Sequence, residues 1–408
     1  MQDFRQKVEA ELLTDILPFW LKYVIDDEYG GFRGRIANDR TIDPHADKGL
    51  ILNTRILWTF SKAFSLYRDP VYLAAARRAF EYFDRFFRDS EFGGVYWMVD
   101  YQGRPADMKK RIYGQAFTVY ALAEYYNASG EAETLSKAVR LVEQIESSSH
   151  DAENGGYFET YERDWSLAAD QRLSEVDMDE KKSMNTHLHL LEAYAALLRF
   201  HEDETIRLRL RELIEIFLDH IIHPANHHFI LFFDEEWHPR SGKISFGHDI
   251  EGGWLLVEAA EILGDKTLLE RARETAVKMA QAVYEQGLDS DGGLMYEADA
   301  TGIIDSDKQW WPQAEAVVGF LNAYELLGQR HFLDAAERSW RFIEKFIIDH
   351  EYGEWFSLVS KTGLPGAGLD KVGPWKCPYH NSRTCFEVMV RLDALSHPSQ
   401  NTRRMGHP

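Results

Sequence analysis

The chain has 408 residues, 45% of them hydrophobic and 13% aromatic, enough apolar material for a large core and, by length alone, for two or three domains. Its 46 basic and 67 acidic residues leave a formal net charge of −21, a field that repels nucleic acid and anionic membrane surfaces, favours solubility and does not oppose an uncharged small molecule. No stretch approaches about 18 uninterrupted apolar residues, so no membrane span is expected.

Apolar residues at i, i+3, i+4 and i+7 predict a first helix over residues 3–23, closed by the turn Glu28-Tyr29-Gly30-Gly31-Phe32. Helices over 50–67 and 72–88 follow, then Glu91-Phe92-Gly93-Gly94-Val95-Tyr96 and an aromatic run through Val99 that reads as a short hairpin strand. Helices over 113–127 and 132–147 lead to Glu153-Asn154-Gly155-Gly156-Tyr157-Phe158, and helices over 184–200 and 204–221 to a degenerate turn without glycine, His227-His228-Phe229. The pattern continues with helices over 248–263 and 266–286, Asp291-Gly292-Gly293-Leu294-Met295-Tyr296, and helices over 311–327 and 331–347. It ends with Glu351-Tyr352-Gly353-Glu354-Trp355-Phe356 and a helix over 378–394.

Gly31 to Gly94 is 63 residues and Gly94 to Gly156 is 62. A period of that length fits six times and marks a repeat architecture. Twelve helices in six hairpins, with no Pro/Ser-rich linker between them, predict one domain over 1–408: an all-α (α/α)6 toroid of six inner and six outer helices with short β-hairpins in its connections. A linear helical solenoid is the alternative.

The helices that follow the Gly-Gly loops are the expected inner ones, and polar and aromatic residues gather at their N-terminal ends. These are Arg55, Tyr113 with Gln115, Asn185 with His189, His248 with Glu251, Trp311 with Glu315, and His380 with Asn381. Successive spacings from Arg55 through Tyr113, His189, His248 and Trp311 to His380 are 58, 76, 59, 63 and 69. In a closed ring these residues converge on one pocket. His187 and His189 are two apart and face different ways, so at most one enters it. Glu251, three residues after His248, shares its face and is placed to orient its ring or tune its pKa, and a helix N-terminus favours the neutral imidazole. Arg55 sits among Ile51, Leu52, Ile56 and Leu57, and a buried charge needs a partner or a task. Trp20, Trp97, Trp254, Trp311 and Trp375 recur near one phase and suit stacking on sugar faces. Other histidines, such as His45, His150, His201 and His407, read as surface or loop residues.

Two cysteines occur, Cys377 and Cys385; on one helix, eight residues at ~1.5 Å rise place them roughly 12 Å apart, too far for a disulfide. No spaced Cys/His cluster suggests zinc, and no Lys-Ser/Thr follows the Gly-Gly turns as a phosphate loop requires. The opening MQDFRQKVEAE has no apolar signal core, so a cytoplasmic location is expected.

Phe246-Gly247-His248-Asp249-Ile250-Glu251, the run from Trp310 through Pro312, Glu315 and Gly319 to Phe320, and Gly373-Pro374-Trp375-Lys376-Cys377-Pro378-Tyr379-His380-Asn381 resemble the cellobiose 2-epimerases, part of the wider N-acylglucosamine 2-epimerase superfamily. Asp47-Lys48-Gly49, Asn53-Thr54-Arg55-Ile56-Leu57-Trp58 and Met184-Asn185-Thr186-His187-Leu188-His189 match as well; Ser183 is a conservative departure from threonine. The resemblance spans the chain in order and itself implies an (α/α)6 barrel. It further implies C2 epimerisation of the reducing-end glucose of β-1,4-linked disaccharides, cellobiose to glucosyl-mannose and lactose to epilactose.

On that resemblance His248 and His380 are the acid/base pair, with Arg55, Glu251 and His189 completing the catalytic set. Tyr113, Asn185, Trp311, Glu315, Trp375 and Asn381 bind substrate, with the two tryptophans stacking on the sugars. Glu251 and Glu315 hold histidines or hydroxyls. Imidazoles near their working pKa suit both removal and return of a C2 proton, and the enediolate between those steps calls for a preorganised donor. No metal or other cofactor is required by this route, the partner is a small disaccharide, and the expected assembly is a monomer or weak homodimer. The rivals are an aldose–ketose isomerase using the same enediolate, an inverting glycoside hydrolase with Glu251 and Glu315 as its carboxylates, and a non-catalytic sugar-binding toroid.

Overall fold

A computed structural model describes residues 1–396; His407 and the end of the expected 1–408 domain lie outside the described residues. The first helix, α1, runs over 2–23 as Gln2–Glu11, a π-helical stretch Leu12–Ile16, and Leu17–Tyr23. Then come α2 (Leu50–Tyr67), α3 (Pro70–Phe86), α4 (Ile112–Ser129), α5 (Ala132–Ser149) and α6 (Met184–Leu198). The second half holds α7 (Glu204–Ile216 with a π-helical end, Phe217–Ile221), α8 (Phe246–Leu263), α9 (Lys266–Gln286) and α10 (Trp310–Leu327). It closes with α11 (Arg330–Phe342 and Ile343–Ile347) and α12 (Tyr379–Ser396).

The even-numbered helices form a closed inner ring, each packing on the next and α12 returning to α2. Outside it, α3, α5, α7, α9 and α11 each back the inner helix before them, and α1 backs α12, so the two ends of the chain seal the toroid. Sequence composition explains the division. In α2 every residue from Leu50 to Ser61 is buried, and α10 is buried without a break from Trp310 to Ala323; such helices are apolar around most of their circumference and pack on two sides. The outer helices carry a single apolar stripe, as in α5 with Ala138, Leu141, Val142 and Ile145. Asp69, Asp203 and Asp265 cap α3, α7 and α9 through their side chains, satisfying amides that a helix start leaves unpaired. The solenoid alternative is thereby excluded, and all twelve expected helices are present within a few residues of their expected ends.

A two- or three-residue strand precedes each inner helix and pairs with the following repeat: Lys48–Gly49 with Met98–Val99, Lys110–Arg111 with Thr160–Tyr161, and so on to Lys308–Gln309 with Leu358–Val359. Ile36–Ala37 pairs with Asp370–Val372 and closes this rim.

Five of the six turns are fastened to that rim by an Asp–Lys ion pair with its lysine buried, which sequence reading did not single out. The pairs are Asp26–Lys48 at 2.7 Å, Asp89–Lys110 at 2.9 Å, Asp151–Lys182 at 2.8 Å, Asp289–Lys308 at 2.8 Å and Asp349–Lys371 at 2.7 Å. The degenerate fourth turn places His223 where the others have Asp and Ile244 where they have Lys, and closes through the same backbone bond, His223 N–H to the His228 carbonyl.

One expectation is corrected. Cys377 precedes α12 and only Cys385 lies on it; both are buried and free.

Candidate active site

At the rim where the inner helices begin, a cavity of about 320 Å³ opens along the ring axis. Its wall includes Arg55, Tyr113, Asn185, His189, His248, Glu251, Trp311, Trp375 and His380, nine of the residues expected from their common phase. The helical period brings eight of them together, because each sits in the first two turns of its helix, while Trp375 reaches the wall from the segment just before α12.

Three imidazoles face this space, each held through Nδ1. His189 Nδ1 lies 2.9 Å from Glu192 Oε2, His380 Nδ1 lies 2.7 Å from Glu315 Oε1, and His248 Nδ1 lies 2.7 Å from the Ser245 hydroxyl. In all three Nε2 has no partner among the described residues. Carboxylates only accept, so Glu192 and Glu315 fix the Nδ1–H tautomer and leave Nε2 as the reactive nitrogen. Burial, reinforced by Arg55 and Arg383, holds His380 well below the usual imidazole range. Burial and the neighbouring His189 lower His248, and burial outweighs Glu192 at His189. Trp311 packs against both candidate acid/base groups, its ring 4.7 Å from His248 and 5.6 Å from His380.

Behind this wall Arg383, one turn after His380, gathers the acidic residues. Its guanidinium bonds Glu192, Glu251 and, at 2.7 Å, Glu315. It also stacks over Tyr379 at 4.4 Å and Trp254 at 4.9 Å. Burial and the closeness of Glu315 raise Glu251 to about 8 against the pull of Arg383. At Glu192 burial works the other way and is overcome, so Arg383, His189 and Tyr379 hold it down to about 2. Glu251, Glu315 and His380 also present ligand atoms within 4.8 Å of one another, yet the carboxylates already hold a fixed cation, the guanidinium.

Arg55 differs in kind. It is 3% exposed, donates to the Tyr113 hydroxyl at 3.0 Å and lies 3.8 Å from Cys377 Sγ. It packs over Phe117 and Tyr379 at 4.3 and 4.9 Å, and its Nε finds no partner among the described residues. A desolvated guanidinium on a cavity wall without a carboxylate favours whatever negative charge develops there. Asn185 likewise presents an unpartnered Oδ1 at the wall.

Several expectations are corrected by these contacts. Glu251 bonds Arg383 and lies 3.8 Å from His380, while Ser245 orients His248; a shared face does not decide which neighbour a carboxylate reaches. Glu315 is fully buried behind His380, where it also accepts from Trp254 Nε1 at 3.1 Å. Asn381 is fully buried and donates to Glu354 at 2.8 Å, because one residue after His380 the helix has turned about 100° from the axis. Gln115 clasps the Val95 backbone at 3.0 and 2.9 Å, a structural position that Gln313 fills at Leu294 and His187 at Tyr157. Trp20 donates to Glu354 and Trp254 to Glu315, neither lining the cavity, and Trp97 packs on Trp375 at 5.7 Å. His45 and His150 stand outside the cavity as surface or loop residues, as expected: His45 is exposed, and His150 pairs with Glu212 at 3.0 Å.

Sequence reading missed Tyr296, Gln309, Trp310 and the segment 173–177 among the lining residues, and Ser245, Glu192 and Arg383 behind it. Arg383 and Glu192 were findable, each standing three residues beyond a candidate histidine. The segment 173–177 belongs to a long connection with no periodicity to place it.

The sequence profile of the N-acylglucosamine 2-epimerase (GlcNAc 2-epimerase) family matches residues 30–381. The cellobiose 2-epimerase of Bacteroides fragilis is 46% identical, over 94% of this chain and 98% of that protein. The solved cellobiose 2-epimerase of Bacillus thermoamylovorans superposes with a TM-score of 0.91 at 38% identity, over 96% of this chain and all of the other. A solved D-mannose isomerase shares the fold at a TM-score of 0.83 and 21% identity, over 95% and 98% of the two chains.

Proposed function

This chain belongs to the N-acylglucosamine 2-epimerase family, and from that premise we propose that its cavity epimerises C2 of the reducing-end glucose of β-1,4-linked disaccharides. Cellobiose gives glucosyl-mannose, and lactose gives epilactose. The observation that carries the reading is the pair His248 and His380, two cavity imidazoles both packed against Trp311 with Nδ1 held and Nε2 free.

The chemistry needs only proton transfers. One imidazole takes the anomeric hydroxyl proton while the other, entering as the imidazolium, delivers its proton to the ring oxygen, opening the sugar to its aldehyde. The carbonyl acidifies the C2 proton; one histidine removes it, and the electron pair moves onto O1 to give the enediolate. Arg55, with Tyr113 as a further donor, stabilises that oxygen, while His189, its Nδ1–H held by Glu192, offers Nε2 as an acceptor to a sugar hydroxyl. The other histidine returns a proton to the opposite face of C2, and the ring closes. The two histidines exchange roles between the forward and reverse directions. Trp311 and Trp375 stack on the sugars, Asn185 bonds a hydroxyl, and Glu251 tunes His380 through the Arg383 cluster. Glu315 and Asn381 serve from behind the wall. No metal or nicotinamide enters these steps.

Hydrolysis needs two carboxylates flanking the scissile bond; Glu251 and Glu315 instead share one guanidinium, and Glu315 is sealed from the cavity. We take 1–408 as one catalytic domain, cytoplasmic and monomeric or weakly dimeric.

Incubation with cellobiose in heavy water, with product NMR, tests the reading. Glucosyl-mannose deuterated at C2, abolished in His248→Ala and His380→Ala, is expected. Free glucose would make the protein a hydrolase, deuterium at C1 of a ketose would make it an isomerase, and no exchange would leave a binding protein.

A further inference from the structure

Six turns fasten the ring, and the first, second, third and sixth share one backbone shape. Each closes through a bond from its first residue's N–H to a carbonyl, and the acceptors are Gly31, Gly94, Gly156, His228, Gly293 and Glu354. Gly31, Gly94 and Gly156 adopt φ of 62°, 67° and 75°, a left-handed conformation that glycine enters freely and a side chain opposes. Glu354 adopts φ 60° there. A residue held in this region marks a place where the surroundings require it.

The carboxylate explains the exception. Glu354 is fully buried; one oxygen accepts from Lys376 Nζ at 2.6 Å and from Asn381 Nδ2 at 2.8 Å, and the other from Trp20 Nε1 at 2.8 Å. Its own N–H donates to Asp15 on α1. Lys376 follows Trp375 and Asn381 follows His380. A single oxygen therefore ties down the immediate neighbours of a cavity tryptophan and a cavity histidine, which lie on opposite sides of the bend entering α12.

We propose that Glu354 is a positioning residue for epimerisation: it accepts an unfavourable backbone conformation so that its carboxylate fixes the 375–381 bend and with it Trp375 and His380. The proposal rests on the epimerase reading for its kinetic consequence, and on the structure alone for its effect on the bend.

Glu354→Gly installs the residue that other turns carry, and Glu354→Gln keeps the shape and one acceptor oxygen. Where the glycine variant fails to fold because Lys376 is left unpaired, Glu354→Gly with Lys376→Met replaces it. Turnover of cellobiose and backbone hydrogen exchange are measured on each. The expected result is a fall in kcat of about 30-fold or more in the glycine variant, as sub-ångström misplacement produces, with Glu354→Gln recovering most of it. Exchange accelerates over 373–378 while the turns at 26–31 and 89–94 stay protected. Unchanged kcat together with unchanged exchange over 373–378 overturns the proposal, as does faster exchange spread evenly around the ring. If the wild-type protein turns over no disaccharide, the epimerase reading fails by itself, and the exchange measurement still decides what Glu354 holds.

Discussion

The imidazole of His380 donates through Nδ1 to Oε1 of Glu315 across 2.7 Å, and the same carboxylate oxygen accepts from Arg383 at 2.7 Å. The candidate acid/base group on α12 is thus locked to α10, and through Arg383 to Glu251 on α8 and Glu192 on α6. Four of the six inner helices meet at one guanidinium, so cavity geometry and ring closure are parts of one network.

Glu315→Gln tests that lock. The amide can meet Nδ1 through its nitrogen as readily as its oxygen, so the tautomer is no longer fixed, and Arg383 loses a charge partner. We expect kcat to fall about 100-fold, ~2.7 kcal/mol of barrier. Initial rates of epimerisation measure it, and a rate within threefold of wild type would remove Glu315 from the mechanism.

Arg55→Met separates function from stability. The buried guanidinium has no carboxylate partner among the described residues, so it costs the folded state desolvation while favouring the enediolate. Its loss lowers kcat/KM by about 10²–10³-fold and leaves the melting temperature unchanged or higher. A clear drop in calorimetric Tm would show that Arg55 is chiefly structural.

His187 predicts an acid limb of stability. Its Nδ1 donates to the Ser183 carbonyl at 2.7 Å and its Nε2 accepts from Tyr157 N–H at 2.9 Å, so neither nitrogen can take a proton without breaking a bond. Burial pushes its pKa down to about 4. The unfolded chain binds this proton below about pH 6.5 and the folded one does not, so stability is lost as pH falls from about 6.5 to 4, by about 3 kcal/mol for this fully buried group. His187→Gln, the residue at the same position in two other repeats, should narrow the difference in Tm between pH 7 and pH 5. An unaltered difference would count against the assignment.

Lys48→Met leaves Asp26 buried without its 2.7 Å partner. Removing one member of a buried pair typically costs about 3–5 kcal/mol, and the denaturation midpoint should shift accordingly. A loss below about 1 kcal/mol would mean that the turn's backbone bonds to Asp26 suffice by themselves.

Much of the architecture is legible in the amino-acid sequence. The 3.6-residue period marks twelve helices, and the recurring Gly-Gly turns set their sixfold count. The phase of Arg55, Tyr113, His189, His248, Trp311 and His380 locates the cavity. The five Asp–Lys pairs are harder to see although they recur with the turns, since an aspartate before a glycine turn reads first as a turn residue. Segment 173–177 is harder still, because an aperiodic connection carries no signal of where it folds back.

The sequence by itself determined helix faces, turn sites, repeat number and the end of the ring where reactive side chains collect, because each follows from residues a few positions apart and the fixed geometry of the backbone. Only the tertiary structure decided partners: Ser245 rather than Glu251 for His248, Glu315 behind His380 rather than against a sugar, Asn381 turned to Glu354. Each choice depends on groups brought together by ring closure, such as Arg383 and Glu251, 132 residues apart. The burial that makes their charges consequential exists only once the ring has closed.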